Sequence, residues 1–223
     1  DQPHVLAMQN MTALLDEEHT PYDVLFEGSP ANLDTGEPAL SCLRAALMRG
    51  AGLEFDIAVS GVDEEAIKAR HRGSPDALVL KLAEAKARAI ARDGLVVGAD
   101  QILMCEGVLF DKPKNMEEAR DNLKKFRGRT HALISGTVLH DDGKPVWSLA
   151  EQVTLTMRQF SDEFLEAYLL DVGEDVLKSV GCYQLEGPGV QLFEEVNGDY
   201  FAILGLPLVP LLGALRASGA VQP

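Results

Sequence analysis

The chain has 223 residues, 46% of them hydrophobic and 25% charged, which predicts a globular protein with one large domain or two small lobes. Its net charge of −15, from 20 Lys and Arg against 35 Asp and Glu residues, argues against binding a nucleic-acid polymer over its whole surface. The three cysteines are widely spaced, and no apolar run reaches the roughly 18 residues of a membrane span. We therefore expect a cytoplasmic protein without a disulfide framework, a zinc site or a membrane span.

The N-terminal residues have the weakest pattern in the chain. Residues 22–26 can form a strand, and turn residues follow them. A helix is predicted to begin near Ser41 and to end at Gly50. Ser41 and Arg44 lie on one face of its first turn, where a hydroxyl, a guanidinium and backbone N–H groups can bind an anion. The alternative is a serine cap beside a surface arginine.

An acidic cluster follows the next predicted strand. Leu53–Val59 alternates apolar and polar residues, as a half-buried strand does, and Asp63, Glu64 and Glu65 come soon after it. Three acids in this position can bind a metal, or they can form the solvated first turn of a helix. The pattern leaves both interpretations open.

A lysine lies in line with an apolar helix stripe. Ser74-Pro75-Asp76 is typical of a helix start, and the helix is predicted to run to about Arg92. Lys86 comes four residues after Leu82 and four before Ile90, so it falls on the stripe. Either its side chain runs along the stripe to reach water, or its ammonium group pairs with an anion.

The segment from Gly94 to Gln101 predicts a buried strand that ends at a carboxylate. Ligands of α/β proteins bind outside the carboxyl ends of strands, so Asp100 is placed to bind a metal or to act as a general base. The alternative is an aspartate that ends the strand and caps the next turn. A hairpin at 102–110 then leads to Lys112, whose backbone Pro113 restricts to an extended conformation.

The rest of the chain predicts strands and three helices. Asn115 begins a helix that ends at Gly128, and Thr130–His140 and Val146–Arg158 form an antiparallel pair. A helix follows Ser161, a glycine-rich loop covers 181–189, and a last helix runs from Pro207 to about Ser218. The strongest hairpin signal in the chain is Asn197-Gly198, between predicted strands at 190–196 and 199–204.

The chemistry-bearing residues are carboxylates and lysines rather than a known phosphate loop or nucleophile motif. The sequence lacks Walker A, GxGxxG, CxxC and GxSxG motifs, and its histidines form no spaced ligand pair. It offers, together with Ser41 and Arg44, the following set: Asp63, Glu64, Asp100, Glu186, Lys86 and Lys112. Such a set fits metal-assisted chemistry on a phosphorylated small molecule.

A series of short motifs occurs in a fixed order along the chain. They are Ser41-x-x-Arg44, Asp63-Glu64, Leu82-Ala83-x-x-Lys86-Ala87, Gly98-Ala99-Asp100, Lys112-Pro113, Gly128-Arg129-x-His131, the Tyr183–Gly187 loop and Gly205-Leu206-Pro207-Leu208. Together they resemble the Maf family of nucleoside triphosphate pyrophosphatases. The resemblance implies a Maf/Ham1-like α/β fold for residues 41–223: a mixed sheet flanked by helices, elongated and two-lobed, with a central cleft. Residues 1–40 are predicted to be an atypical N-terminal segment.

The resemblance also implies an activity, the hydrolysis of a nucleoside triphosphate to the monophosphate and pyrophosphate with Mg²⁺ or another divalent cation. The implied assembly is a homodimer. Asp100 matches the family's proposed proton acceptor, and Glu64 matches the acid after the first strands; both are implied catalytic residues and metal ligands. The other implied site residues are associated with the phosphates: Lys86, which also counts as catalytic, Ser41, Arg44 and Lys112.

Two departures from the family pattern bear on these expectations. Residues 24–30 resemble the family's first strand and turn with an insertion after them, so Ser29 competes with Ser41 for the phosphate-side hydroxyl. If this element is disrupted, a nucleotide-binding regulator without efficient catalysis becomes the alternative function. Gln101 and Glu186 stand where the common subgroup has Thr and Gln, and the pair resembles the subgroup that acts on 7-methylguanosine triphosphate. Both are predicted to bind substrate, unless Glu186 is merely a solvent-exposed loop residue.

Overall fold

The computed structural model describes residues 24–27, 40–90 and 93–222, without the side chains of residues 24–27 and 40–42. In these ranges the strands are β1 (Val24–Glu27), β2 (Asp56–Ala58), β3 (Leu95–Cys105), β4 (Val108–Phe110), β5 (Thr130–Asp141), β6 (Lys144–Met157) and β7 (Phe193–Asn197). The α-helices are α1 (Leu40–Gly50), α2 (Glu64–Arg70), α3 (Pro75–Ala89), α4 (Met116–Phe126), α5 (Asp162–Val172), α6 (Tyr200–Ile203) and α7 (Leu208–Ala217). Two 3₁₀ helices cover Gly173–Lys178 and Pro188–Leu192.

The strands form one mixed sheet in the order β2-β1-β3-β5-β6-β7, with β4 beside the far end of β3. β1 runs parallel to β2 and β3, and the other pairs are antiparallel. The predicted α/β class, a mixed sheet flanked by helices, is confirmed. None of the described helices is long and apolar enough to cross a membrane.

The two faces of β3 pack against different parts of the chain. On the face that carries Val96 and Ile102, here called the α3 face, both residues pack against the buried side of α3. On the opposite face, here called the pocket face, Val97 belongs to one apolar cluster with α1 and α7. Leu103, farther along this face, belongs to a second cluster with α4 and α5. The pocket face thus packs against two apolar clusters, one toward each end of β3.

One stretch of β3 pairs with a neighbouring strand along only one of its two edges. Along its whole length it pairs with β5, from Leu95 opposite Asp141 to Cys105 opposite His131. On its other edge β1 pairs with 95–97 and β4 pairs with 103–105. Between them, no strand in the described part of the chain pairs with 98–102 on that edge. This stretch is here called the sheet gap.

Local sequence signals explain the starts of three helices. The side-chain oxygens of Ser74, Asn115 and Ser161 accept hydrogen bonds from backbone N–H groups in the first turns of α3, α4 and α5. Each of these helices was expected at its position. α3 ends at Ala89, however, earlier than the predicted Arg92, and the predicted strand Leu53–Val59 is reduced to Asp56–Ala58.

The hairpin predicted around Asn197-Gly198 is wrong. Residues 188–192 form a 3₁₀ helix, β7 pairs with β6, and the second predicted strand is replaced by α6. Asp199 explains the change, because its Oδ1 accepts from the Ala202 N–H at 2.9 Å and caps a helical turn. Ala202 and Ile203 are then buried against the sheet. Helix capping and burial thus override the local turn signal.

Candidate active site

Asp100 lies in the middle of β3, not at its carboxyl end as the sequence predicted. β3 continues for five residues beyond it and pairs with β5 throughout. Asp100 nevertheless has the surroundings of a strand end. On one edge of β3, β1 pairs only with residues before Asp100 and β4 pairs only with residues after it. The carboxyl ends of β1 and β4 both border the sheet gap that Asp100 occupies. The gap is therefore the place where side chains from several elements can meet.

Two glycines allow α3 to approach the sheet closely beside Asp100. A Cβ atom on Gly98 would collide with the carbonyl oxygen of Ala83, and one on Gly136 would come within 2.8 Å of the Val79 backbone. Gly136 is the register partner of Asp100 on β5. This close contact brings the C-terminal half of α3 over the gap.

Lys86 links two carboxylates at this point. Its Nζ lies 2.9 Å from Asp100 Oδ1 and 2.8 Å from Glu64 Oε1. The Lys86 side chain is 9% exposed, so it does not extend into water along the apolar stripe. Of the two interpretations of this lysine, pairing with an anion is the one that the structure shows. The ion pairs bring together three of the predicted site residues from α2, α3 and β3.

Glu64 is the first residue of α2. Asp63 caps this helix by accepting a hydrogen bond from the Ala66 N–H at 3.0 Å. Of the predicted acidic cluster, Asp63 therefore begins a helix and Glu64 is a site residue. Burial tends to raise the pKa of Glu64, but the nearby ammonium groups of Lys86, Lys68 and Lys112 outweigh it and leave the pKa lowered. Glu64 is therefore held as a carboxylate.

Lys112 approaches the same site from the end of β4. Desolvation lowers its pKa, the positive charges of Arg44 and Lys86 act in the same direction, and Glu64 and Asp100 oppose them. Lys112 is nevertheless exposed, and the described residues offer its ammonium group no ion pair and no hydrogen bond. An anionic ligand that binds beside this ammonium group would stabilise its positive charge.

Arg44 is buried within the fold rather than displayed at its surface. It is 3% exposed, and it donates from Nε to the Gly205 carbonyl at 2.8 Å and from Nη1 to the Ala99 carbonyl at 3.1 Å. These bonds tie α1 to the sheet gap and to the loop before α7. A contact between Arg44 and phosphate stays a prediction.

Gln101 faces the other side of the sheet, because consecutive strand residues point to opposite faces. Its Nε2 lies 3.0 Å from Ser135 Oγ, 3.0 Å from the Ala202 carbonyl and 3.1 Å from the Ile203 carbonyl. Carbonyl oxygens can only accept, so they define which end of the amide is the nitrogen. The remaining hydrogen-bonding atom of the side chain, Oε1, is an acceptor.

A pocket opens on this face beside Gln101. The predicted base-side residue Glu186 also lines it, at an exposed position. The Lys178 ammonium, at another wall, is paired with Asp175 at 2.6 Å. Its apolar walls include Leu133 and Ile203, which belong to the cluster with α4 and α5, and also Leu43 and Leu204. Two residues with acceptor oxygens, Gln101 and Glu186, thus line a pocket whose other walls are largely apolar.

The loop that carries Glu186 is attached to the sheet by a buried hydrogen bond. His131 Nε2 lies 2.7 Å from the Tyr183 hydroxyl, and both residues are buried. Burial lowers the pKa of His131 to about 4, so the ring is neutral at neutral pH. The motifs around His131 and Tyr183 are therefore joined in the structure.

The donor set of the site suits a magnesium ion. Across the ranges the structure describes, no three His, Cys, Asp or Glu side chains form a metal-binding group. Asp100 and Glu64 supply two carboxylates, and Mg²⁺ is commonly held by one or two carboxylates together with substrate phosphates. The residues present therefore fit such an ion, with the remaining ligands coming from a phosphorylated ligand and water.

Some site predictions lie outside the described residues, and some supporting residues were not predicted. Ser29 and the side chain of Ser41 are outside the described part, so the choice between them stays open. The sequence motifs do not include Lys68, although its position four residues after Glu64 is a signal for an ion pair. They do not include Asp111 or Ser135 either, because the partners of these residues come from elements that are distant in sequence.

These features define a class: an α/β protein with a carboxylate–lysine cluster at a gap in its sheet and a pocket on the opposite face. The chain belongs to the Maf family, because the family model described as "Maf-like protein" matches residues 39–218. The resemblance that the sequence motifs suggested is confirmed.

Relatives with assigned names cover most of the chain. A protein of Paramagnetospirillum magneticum named nucleoside triphosphate pyrophosphatase is 48% identical over 82% of this chain and 97% of its own length. One of Granulibacter bethesdensis with the same name is 44% identical over 81% and 95%. A protein of Rhizobium meliloti named 7-methyl-GTP pyrophosphatase is 44% identical over 82% and 94%.

Proposed function

We propose that this protein is a nucleoside triphosphate pyrophosphatase, a hydrolase that acts on a phosphoric anhydride. The observation that carries the proposal is the pair of carboxylates joined by Lys86 at the sheet gap, with Lys112 beside them. The names of the relatives, at 44–48% identity over nearly their whole length, support the same activity. We also propose that it acts in the cytoplasm, which its cysteine usage favours, and as a homodimer, which the family resemblance implies.

The reaction divides the ligand between the two faces of β3. The nucleobase lies in the pocket beside Gln101, and the triphosphate reaches the α3 face through the sheet gap. Asp100 takes a proton from water as the water oxygen forms a bond to the α-phosphorus, and the bond to the β-phosphate oxygen breaks to release pyrophosphate. Lys112 and Lys86 balance the negative charge on the phosphates.

Mg²⁺ or another divalent cation would be held by Asp100 and Glu64 together with the phosphates. When bound, it would supply positive charge that neutralises the triphosphate and polarises the bond to be broken. This charge matters because the chain as a whole carries −15 and would otherwise repel a triphosphate.

The pocket favours a base that donates hydrogen bonds. Gln101 Oε1 and the Glu186 carboxylate are acceptors, and 7-methylguanine offers N1–H and N2–H donors with a positive charge on the ring. A hydrogen bond between a carboxylate and such a cation contributes roughly 1.5–3 kcal/mol. We therefore propose 7-methylguanosine triphosphate, or a similar modified purine nucleotide, as the preferred substrate.

The test is a panel of nucleoside triphosphates incubated with the purified chain and Mg²⁺, with the released pyrophosphate and nucleotide measured separately. The proposal expects a monophosphate and pyrophosphate in equal amounts, with 7-methylguanosine triphosphate turned over faster than dTTP or UTP. Release of orthophosphate would contradict the reaction type. Binding of nucleotides without turnover would favour the alternative, a nucleotide-binding regulator.

A further inference from the structure

Lys68 forms ion pairs between two elements that border the candidate active site. Its Nζ lies 2.6 Å from Asp111 Oδ1 and 3.8 Å from Glu64 Oε2, and its side chain is only 15% exposed. It also lies 3.5 Å from Glu65 Oε1, a contact that stays within α2. Glu64 thus has Lys86 at one carboxylate oxygen and Lys68 near the other.

The Lys68–Asp111 ion pair joins two segments that each carry a residue of the candidate active site. α2 begins with Glu64, and none of its residues is buried, so apolar packing alone does not hold it firmly. Asp111 immediately precedes Lys112, the lysine next to the two carboxylates. The Lys68–Asp111 pair therefore connects the helix that positions Glu64 to the segment that positions Lys112.

We propose that Lys68 is a positioning residue for catalysis, which acts by holding Glu64 and Lys112 at a fixed separation through Asp111. The proposal rests on the proposed pyrophosphatase function, and it assigns Lys68 no contact with the substrate. Burial opposes the charge on Lys68, but Asp111, Glu64 and Glu65 together raise its pKa and keep the ammonium charged. The pair is therefore present throughout the neutral pH range.

Two single substitutions test this role because they break the same pair with opposite changes in charge. Lys68→Met removes a positive charge, and Asp111→Asn removes a negative one. Positioning predicts that both lower kcat about tenfold, since small displacements of catalytic groups have large effects on rate. An effect of charge alone predicts changes in opposite directions.

Four further measurements separate positioning from loss of structure. The double variant is expected to be no slower than the slower single variant, because the pair is already broken. Lys68→Arg, which keeps the pair, is expected to recover most of the rate. The affinity for a triphosphate analogue with a methylene group between the α- and β-phosphorus is expected to change less than about threefold, and the melting temperature to stay within about 2 °C of the wild-type value.

Glu65→Gln is the matched control, since it breaks only the Lys68 contact inside α2 and Glu65 is 79% exposed. It is expected to keep wild-type kcat. Wild-type kcat in both Lys68→Met and Asp111→Asn would overturn the proposal, and so would additive losses in the double variant. The proposed function fails separately, by the absence of pyrophosphate release from the unaltered chain across the nucleotide panel.

Discussion

At the centre of the sheet, Asp100 and Gln101 are neighbours in sequence but face different surroundings. Asp100 lies among charges, with Lys86 at 2.9 Å and Glu64 on the other side of that lysine. Gln101 lies among neutral groups, and its two amide N–H groups have the Ser135 hydroxyl and two carbonyls of α6 within hydrogen-bond distance. One strand therefore separates the ion pairs around Asp100 from the neutral hydrogen-bond partners of Gln101.

The two regions place different demands on the fold. Charges that are buried together must be balanced, or their desolvation destabilises the folded state. Neutral polar groups need only hydrogen-bond partners, and once these are satisfied they present a fixed pattern of donors and acceptors. The first arrangement suits groups that handle phosphates and protons, and the second suits recognition of a base. The following substitutions alter one region at a time.

The largest effect is expected for Asp100→Asn, which removes the proposed base. We expect turnover to fall by about 10²–10⁴-fold, the usual loss for a general base, with the folded state retained. Steady-state pyrophosphate release measures the loss, and circular dichroism with binding of a non-hydrolysable triphosphate checks the fold. Turnover close to that of wild type in a folded variant would remove Asp100 from the mechanism.

Lys86→Met and Lys112→Met compare a buried lysine that is paired with two carboxylates with an exposed lysine. Lys86→Met leaves Asp100, 10% exposed at its side chain, without its ion pair, and we expect it to lower the free energy of unfolding by about 3 kcal/mol at neutral pH. Lys112→Met is expected to reduce activity with little change in stability. Urea unfolding and kinetics on the same preparations distinguish them; equal stability of the two variants would contradict this difference.

The sequence predicted the parts of this site that depend on local signals. The caps at Ser74, Asn115 and Ser161 and the position of Lys86 on an apolar stripe follow from residues close in the chain. The sheet gap does not, because it depends on where β1 and β4 meet β3. For the same reason Asp100 was expected at a strand end, and the Lys68–Asp111 pair across 43 positions went unnoticed.

The family resemblance grouped the site residues, which their spacing in the sequence alone could not do. Lys86 and Asp100 are 14 positions apart, and Glu64 comes from a separate helix, so no single pattern groups them. The hairpin around Asn197-Gly198 shows the opposite case, a strong local signal that was wrong. There the cap at Asp199 and the burial of the residues after it decide the structure.

A smaller effect is expected when the pocket is changed and the charged region is left intact. Gln101→Thr with Glu186→Gln removes the charged acceptor and shortens the side chain beside Asp100. We expect the ratio of kcat/KM for 7-methylguanosine triphosphate over dTTP to fall by about 10–100-fold, from the loss of a charge-assisted hydrogen bond. Competition assays with both nucleotides measure the ratio. A wild-type protein that already prefers dTTP and UTP would contradict the proposed specificity but not the proposed reaction.

The smallest effect tests whether burial keeps His131 neutral in the folded protein. His131 is 2% exposed and has its pKa lowered to about 4 by burial, whereas in the unfolded chain it titrates at about 6.5. Below the unfolded value the unfolded chain binds a proton that the folded chain excludes, so stability falls as the pH drops from about 6.5 toward about 4.

His131→Gln keeps a polar partner for Tyr183 and removes this titration. We therefore expect wild type to lose about 1 kcal/mol more than the variant when the pH is lowered from about 7.5 to about 5.5. Unfolding by urea at the two pH values gives the difference, and subtracting the variant cancels the carboxylates that titrate in both proteins. A difference of zero would mean that His131 takes up its proton in the folded protein. The contrast between the two faces of β3 would then be limited to Asp100 and Gln101.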